Sequence, residues 1–83
     1  MKVEVRLFAN FRKGRWKSNT LDLNLGTTIR DILNQLEIKE EDLGIVLVNG
    51  RHCDIEKILE DKDVLALFPP AGGGWFQTFK FLN

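Results

Sequence analysis

Cysteine is almost absent from this chain of 83 residues: Cys53 stands alone, so no internal disulfide can staple the fold, and a reducing compartment such as the cytoplasm is expected. Histidine is equally scarce. His52 is the only one, which leaves Cys53 without a second imidazole to serve it as a base. Proline occurs only as the pair Pro69-Pro70, so no ring interrupts a helix or central strand upstream of it. No apolar run approaches the roughly 20 residues that cross a bilayer. The opening "MKVEVRLFA" alternates charged and apolar residues and lacks the apolar core of a signal peptide. Net charge is absent too, with 12 basic and 12 acidic side chains.

What remains is the composition of an ordinary globular protein, 43% hydrophobic and 29% charged, of a length that makes one small domain. The charge is unevenly placed. Residues 1–20 carry six basic side chains against Glu4 alone, whereas residues 37–63 carry nine acidic against four basic. Such asymmetry can steer a charged protein partner. Two simply solvated loop and helix faces account for it without any partner.

Periodicity predicts the elements. Residues 2–9 alternate, with Val3, Val5 and Leu7 on one face and Phe8 on the other, as in a half-buried strand. The polar stretch around Gly14 reads as a connection, and "TLDLNL" alternates again, placing Leu21, Leu23 and Leu25 together. The period then changes. Ile29, Ile32, Leu33 and Leu36 form the single stripe of an amphipathic helix, with Thr27 or Thr28 as N-cap and Asp31 at the positive end of its dipole. Ile45 to Val48 reads as a strand buried on both faces, and Asn49-Gly50 as a tight hairpin turn. Ile55, Ile58 and Leu59 stand at helical spacing, and Val64 to Phe68 makes a last strand before the prolines. The expected fold is α+β, the β-grasp or ubiquitin-like arrangement, with a mixed sheet of four to five strands packed on one main helix.

Other stretches carry little chemistry. His52, Cys53 and Asp54 are consecutive, and side chains alternating along a strand cannot converge on one ion, so no metal site is expected. The stretch "RKGRWK" mixes bases with Trp16, but four positive residues in a neutral chain are ordinary surface, and no nucleic-acid or membrane partner is expected. The glycine run lacks the lysine and helix of a phosphate loop. Phe8, opposite the core-facing residues of its strand, is a candidate partner contact, or is covered by a loop or by the C-terminal stretch.

"MKVEVRLFANFR", "IVLVNGRHCD" and "DKDVLALFPPAGGG", in this order and spacing, resemble the MoaD/ThiS sulfur-carrier family, which includes the small subunit of molybdopterin synthase. The likeness covers residues 1–74. It implies that Gly74 is the reactive residue: its carboxylate, once terminal, is adenylated with ATP on an E1-like enzyme and converted to a thiocarboxylate. No cofactor is bound by the carrier itself, which is a co-substrate or small subunit and not an enzyme. The resemblance further implies a slender neck at Gly72 and Gly73, a stiff base at Pro69 and Pro70, and partner contacts that include Phe68 and Phe8. The implied partners are the activating enzyme and a sulfur acceptor such as the large subunit of molybdopterin synthase, or an enzyme of a thiazole-type route.

The chain departs from that pattern after Gly74. Residues 75–83, "WFQTFKFLN", lock the Gly74 carbonyl into an amide with Trp75, and an amide has no carboxylate oxygen to attack ATP. The extension is a pro-segment removed by a peptidase, a permanent tail packed on the domain, or sequence foreign to the natural protein. Removal is the reading adopted. The alternative is a ubiquitin-like interaction module that keeps its tail and does no carrier chemistry.

Overall fold

The structure is a computed structural model that describes residues 1–70. Val3, Val5 and Leu7 are fully buried along strand β1 (Lys2–Leu7) while the residues between them are not, as their alternation requires. Strand β2 (Ser18–Asp22) pairs antiparallel to it, and strand β5 (Val64–Phe68) runs parallel on its other side. Strands β3 (Ile45–Val48) and β4 (Arg51–His52) complete a mixed five-stranded sheet of order β2-β1-β5-β3-β4. Helix α1 (Ile29–Gln35) covers one face. This is the expected β-grasp architecture.

The helix is bounded by local chemistry. Thr28 is the N-cap: its hydroxyl accepts from the Asp31 amide at 3.2 Å, while the Asp31 carboxylate accepts from the Thr28 amide at 2.9 Å, a reciprocal capping box. At the other end Glu37 has φ +58°, its amide donates to the Asn34 carbonyl, and the Ile38 amide reaches back to Leu33 at 2.9 Å. That is a Schellman ending with glutamate where glycine is usual. It turns Ile38 into the core, where it lies with Ile29, Ile32 and Leu33.

The Asn49-Gly50 hairpin forms as read, both residues having positive φ. Asn49 also ties this turn to the start of β5. Its side-chain oxygen accepts from the Val64 amide and its amide group donates to Asp63, each at 2.9 Å. Asp63, the one buried acidic residue among those described, accepts also from the Glu60 amide.

Three expectations are corrected. Residues 54–61 are not helical. The carbonyls of Ile55 and Lys57 instead accept from the Arg30 and Ile29 amides, the first-turn donors that a helix cannot satisfy internally. A strand-like path beside α1 serves that need, buries Leu59 and leaves Ile58 57% exposed. Leu25 does not share the buried face of Leu21 and Leu23. The Thr27 hydroxyl and amide close a turn onto the Asn24 carbonyl, which turns Leu25 out to 87% exposure. Finally, β3 is not buried on both faces. Val46 and Val48 point into the core, but Ile45 and Leu47 are only half-buried, because the single helix covers one side of the sheet. The connection after β1 also holds a turn of 3-10 helix, Ala9–Arg12, which buries Phe11.

Candidate functional site

Strand β5 is the centre of the sheet, so the chain leaves it from the middle of the fold and not from an edge. Its hydrogen bonding persists to the end on both sides: the Phe8 amide donates to Leu67 at 3.2 Å and the Gly44 amide to Phe68 at 2.8 Å. The stem of the C-terminal segment is therefore fixed by backbone bonds from two directions. Pro69 is buried and Pro70 exposed. A Cβ on Gly44 would lie 2.6 Å from the Pro70 Cα and 2.7 Å from the Pro69 carbonyl carbon, far inside van der Waals contact. Only glycine permits this approach, so Gly44 and the two prolines together aim the chain as it exits.

Beside the exit, Phe68 and Phe8 stack with ring centroids 4.2 Å apart and planes at 12°. The Arg12 guanidinium carbon lies 5.4 Å from the Phe8 centroid, and Arg12 Nε donates to the Leu7 carbonyl at 2.7 Å. The backbone bond holds the cation over the ring, where the quadrupole attracts it. Ile45, Leu47, Val64 and Ala66 continue the apolar surface from Phe68, since Ile45 pairs with Phe68 and Leu47 with Ala66 in register. The result is an apolar strip on the helix-free face of the sheet. Its β1 margin carries the Arg6–Glu4 ion pair and an open cleft of about 350 Å³ that Arg12 and Lys17 also line.

On the far side of the exit, Arg15 donates to the Leu36 carbonyl at 2.8 and 3.2 Å and to the Phe11 carbonyl at 3.1 Å. It closes the C-terminal end of α1 and fixes the wall of a groove shared with Pro69 and Pro70. The groove's other polar residues include Glu37 and Asp42. A chain leaving Pro70 thus has an apolar face on one side and a charged groove on the other.

The sequence-derived site residues divide cleanly. Phe8, Phe68, Pro69 and Pro70 come together at the exit, while Gly72, Gly73, Gly74 and residues 75–83 lie outside the described residues. Arg12, Gly44, Ile45 and Leu47 belong to the same surface and were not singled out. Gly44 carries no sequence mark of its own, because the close approach that needs it comes from Pro69 and Pro70, far along the chain. Cys53 is half-buried, and burial, the largest influence, pushes its thiol up from the ordinary range, with Lys57 opposing. A raised thiol holds less of the thiolate, the nucleophilic form, at a given pH. Among the described residues no three histidine, cysteine or acidic side chains are grouped to hold a metal ion, and no helix is long and apolar enough to cross a membrane.

Comparison with solved structures gives relatives that share this arrangement. A Pyrococcus furiosus protein assigned as subunit 1 of a molybdopterin converting factor is 31% identical with a TM-score of 0.70, over 84% of this chain and 98% of that one. Small archaeal modifier protein 1 of Haloferax volcanii is 25% identical at a TM-score of 0.67, over 89% of this chain and all of its own. A chain of the Helicobacter pylori complex of subunits 1 and 2 of molybdopterin-converting factor aligns at 28% identity and a TM-score of 0.60, over 89% of this chain and all of its own. A search of curated protein sequences gives no match. A family model described as the ThiS family matches residues 5–74, a span that runs from β1 through the central strand and its proline exit to the last glycine. The chain belongs to the ThiS family, the MoaD/ThiS group of small ubiquitin-like sulfur carriers.

Proposed function

We propose that this chain carries sulfur as a thiocarboxylate on Gly74, formed after residues 75–83 are removed. The observation that bears most weight is the central position of β5, whose end is held by the Gly44 backbone bond and by the close approach of Pro69 and Pro70 to Gly44, just before the glycine run in the sequence. Glycines without Cβ atoms fit a narrow cleft and bring the terminal carbonyl close to a nucleotide. The chemistry then needs only the chain end. A peptidase hydrolyses the Gly74–Trp75 amide. A Gly74 carboxylate oxygen attacks the α-phosphorus of ATP on an E1-like enzyme, and pyrophosphate leaves. Sulfide-level sulfur attacks the acyl carbon of the adenylate, the acyl–oxygen bond to AMP breaks, and AMP leaves a thiocarboxylate on Gly74. The thiocarboxylate sulfur attacks an electrophilic carbon of the acceptor and expels that carbon's leaving group, and water then hydrolyses the acyl–sulfur bond, leaving the sulfur on the acceptor and returning the Gly74 carboxylate.

The carrier itself holds no ATP and supplies no acid or base. In this reading the stacked Phe8 and Phe68 and the apolar strip beside them dock a larger acceptor subunit. The Helicobacter pylori structure, a complex of subunits 1 and 2 of the converting factor, supports a partner of that kind, and molybdopterin or tungstopterin assembly is the favoured pathway, a thiazole-type route its neighbour. The protein acts in the cytoplasm, where its lone thiol and its ATP-dependent partner both belong. A second reading, a ubiquitin-like modifier or interaction module with a retained tail, draws support from the likeness to small archaeal modifier protein 1.

Intact mass from the native cell separates the two. A species ending at Gly74, or that species with one oxygen exchanged for sulfur, is the expected result. Recovery of the 83-residue form alone would overturn the carrier reading. In vitro, a trimmed chain with Gly74→Leu should melt like the unaltered trimmed chain and fail to form acyl-adenylate. Normal adenylation of that variant would refute the threading argument.

A further inference from the structure

Asn49 is the only asparagine in the chain that a glycine follows. That arrangement is the one most open to spontaneous loss of ammonia, because a residue without Cβ lets its amide nitrogen approach the preceding side chain. In the fold the same side chain is a lock. Its Oδ1 accepts from the Val64 amide and its Nδ2 donates to Asp63 Oδ1, each at 2.9 Å. Its main-chain amide donates to the Val64 carbonyl at 2.8 Å. We propose that Asn49 is a deamidation site gated by this lock: it is inert while the bonds stand, reacts when the β3–β4 turn opens, and yields a carboxylate that cannot rebuild the lock.

The reaction needs only the chain and water, and Asn49 is exposed to water. The Gly50 nitrogen gives up its proton and bonds to Asn49 Cγ, the Cγ–Nδ2 bond breaks, and ammonia leaves with that proton, which closes a cyclic imide. Water then adds to either imide carbonyl and opens the ring. Addition at Cγ gives aspartate. Addition at the main-chain carbon gives isoaspartate, whose backbone runs through Cβ and lengthens the tight turn between β3 and β4. Attack must come onto the face of the side-chain amide, and turning that face to Gly50 means rotating Oδ1 and Nδ2 away from Val64 and Asp63. Val64 starts β5, the central strand, so the anchors do not follow the turn when the turn moves. The positive φ of both Asn49 and Gly50 is a further constraint that the closed turn keeps.

The product is incompatible with its surroundings. Asp63 is 6% exposed, and its Oδ2 is already engaged by the Glu60 amide at 2.8 Å. Where Asn49 gives Asp63 a proton, a carboxylate at position 49 brings a second acceptor and a second negative charge. Two ionised carboxylates have no proton to share, and they repel most strongly where water is scarce. Arg51 and Lys57 line the adjoining cleft but form no ion pair with Asp63. The β3–β4 hairpin thereby loses its tie to the start of β5, and the step is one-way because the ammonia is lost. None of this depends on what Gly74 carries.

The test incubates the full chain at mildly alkaline pH, folded and in urea, and follows its peptides by mass for the exchange of NH2 for OH. Asn49 should react severalfold more slowly in the folded chain than in urea. Asp63→Asn, which leaves one oxygen for the Glu60 and Asn49 donors to share, should speed the folded reaction. Equal rates in the folded and unfolded chains would overturn the gate. Stability tests the product. Asn49→Asp should lower Tm and speed hydrogen exchange at the amides of Glu60 and Val64. Adding Asp63→Asn to that variant moves the carboxylate across the contact and restores each donor and acceptor: the Val64 amide and the side-chain amide at position 63 donate to position 49, and the Glu60 amide donates to the side-chain oxygen at position 63. The double variant should therefore recover most of the lost Tm. An Asn49→Asp chain as stable as the unaltered one, or a loss that Asp63→Asn leaves uncorrected, would show that the two carboxylates do not conflict and would overturn the proposal.

Discussion

The Gly44 amide donates to the Phe68 carbonyl at 2.8 Å, and the same glycine leaves no room for a side chain against Pro69 and Pro70. Both contacts act on the residues that precede the glycine run in the sequence. Gly44→Ala must push the proline backbone away and break that bond. The expected loss is about 1–3 kcal/mol, the usual cost of overpacking, read by urea denaturation. Unchanged stability would mean that the exit segment moves freely past Gly44.

The Phe8–Phe68 stack predicts coupling. Replacing each by alanine singly and together should give an interaction energy of about 0.5–1.5 kcal/mol beyond their separate effects, measured as a double-mutant cycle in denaturant. Strict additivity would show that the rings touch without stabilising each other.

Glu37 occupies the left-handed position that ends α1, with φ +58°. A side chain there costs about 1–2 kcal/mol in backbone strain, while glycine adds freedom to the unfolded chain. Glu37→Gly should therefore stabilise the domain by about 0.5–1 kcal/mol, seen as a raised Tm. A lowered Tm would place the value of Glu37 in a contact that the helix ending does not explain.

Cys53 predicts a pH dependence. Burial raises its thiol above the ordinary value, so the folded state holds its proton where the unfolded state has begun to lose it. Its contribution to stability is complete below the unfolded thiol's pKa and is lost as pH climbs through the higher folded one. Alkylation by iodoacetamide, followed against pH, should turn on at higher pH for the folded protein than for the urea-unfolded chain. A midpoint at or below the unfolded value would contradict the burial seen here.

Asp22 and Lys2 supply the opposite sign on the surface. The hydrogen bond from Lys2, with its charge, lowers the Asp22 carboxyl below its ordinary value. Its stabilising effect is present above the unfolded carboxyl's pKa and fades as pH falls through the folded one. Both groups are exposed, so salt should weaken the shift. A carboxyl titration by NMR that is indifferent to Lys2→Gln would remove this pairing.

Much of the architecture was legible in the residues. The alternation of Val3, Val5 and Leu7, the helical stripe from Ile29 to Leu33 with Thr28 and Asp31 before it, and the Asn49-Gly50 turn are local patterns, and each formed as read. Residues 54–61 failed for an equally definite reason. Their spacing suits a helix, but their carbonyls are drawn to the open amides of α1, and nothing within that segment reports a demand made by another.

The candidate site follows the same division. Phe8, Phe68 and the proline pair stand out in the sequence because aromatic and proline residues are distinctive, while the glycine run lies outside the described residues. By itself the sequence determined which segments alternate and which turn, since these depend on residues a few positions apart. Only the tertiary structure decided that β5 lies at the centre, that Arg12 sits over Phe8, that Gly44 clamps the exit, and that one face of the sheet is left without a helix. Those outcomes depend on strand order and packing across the whole chain, where one helix is enough to cover one side of five strands and no more.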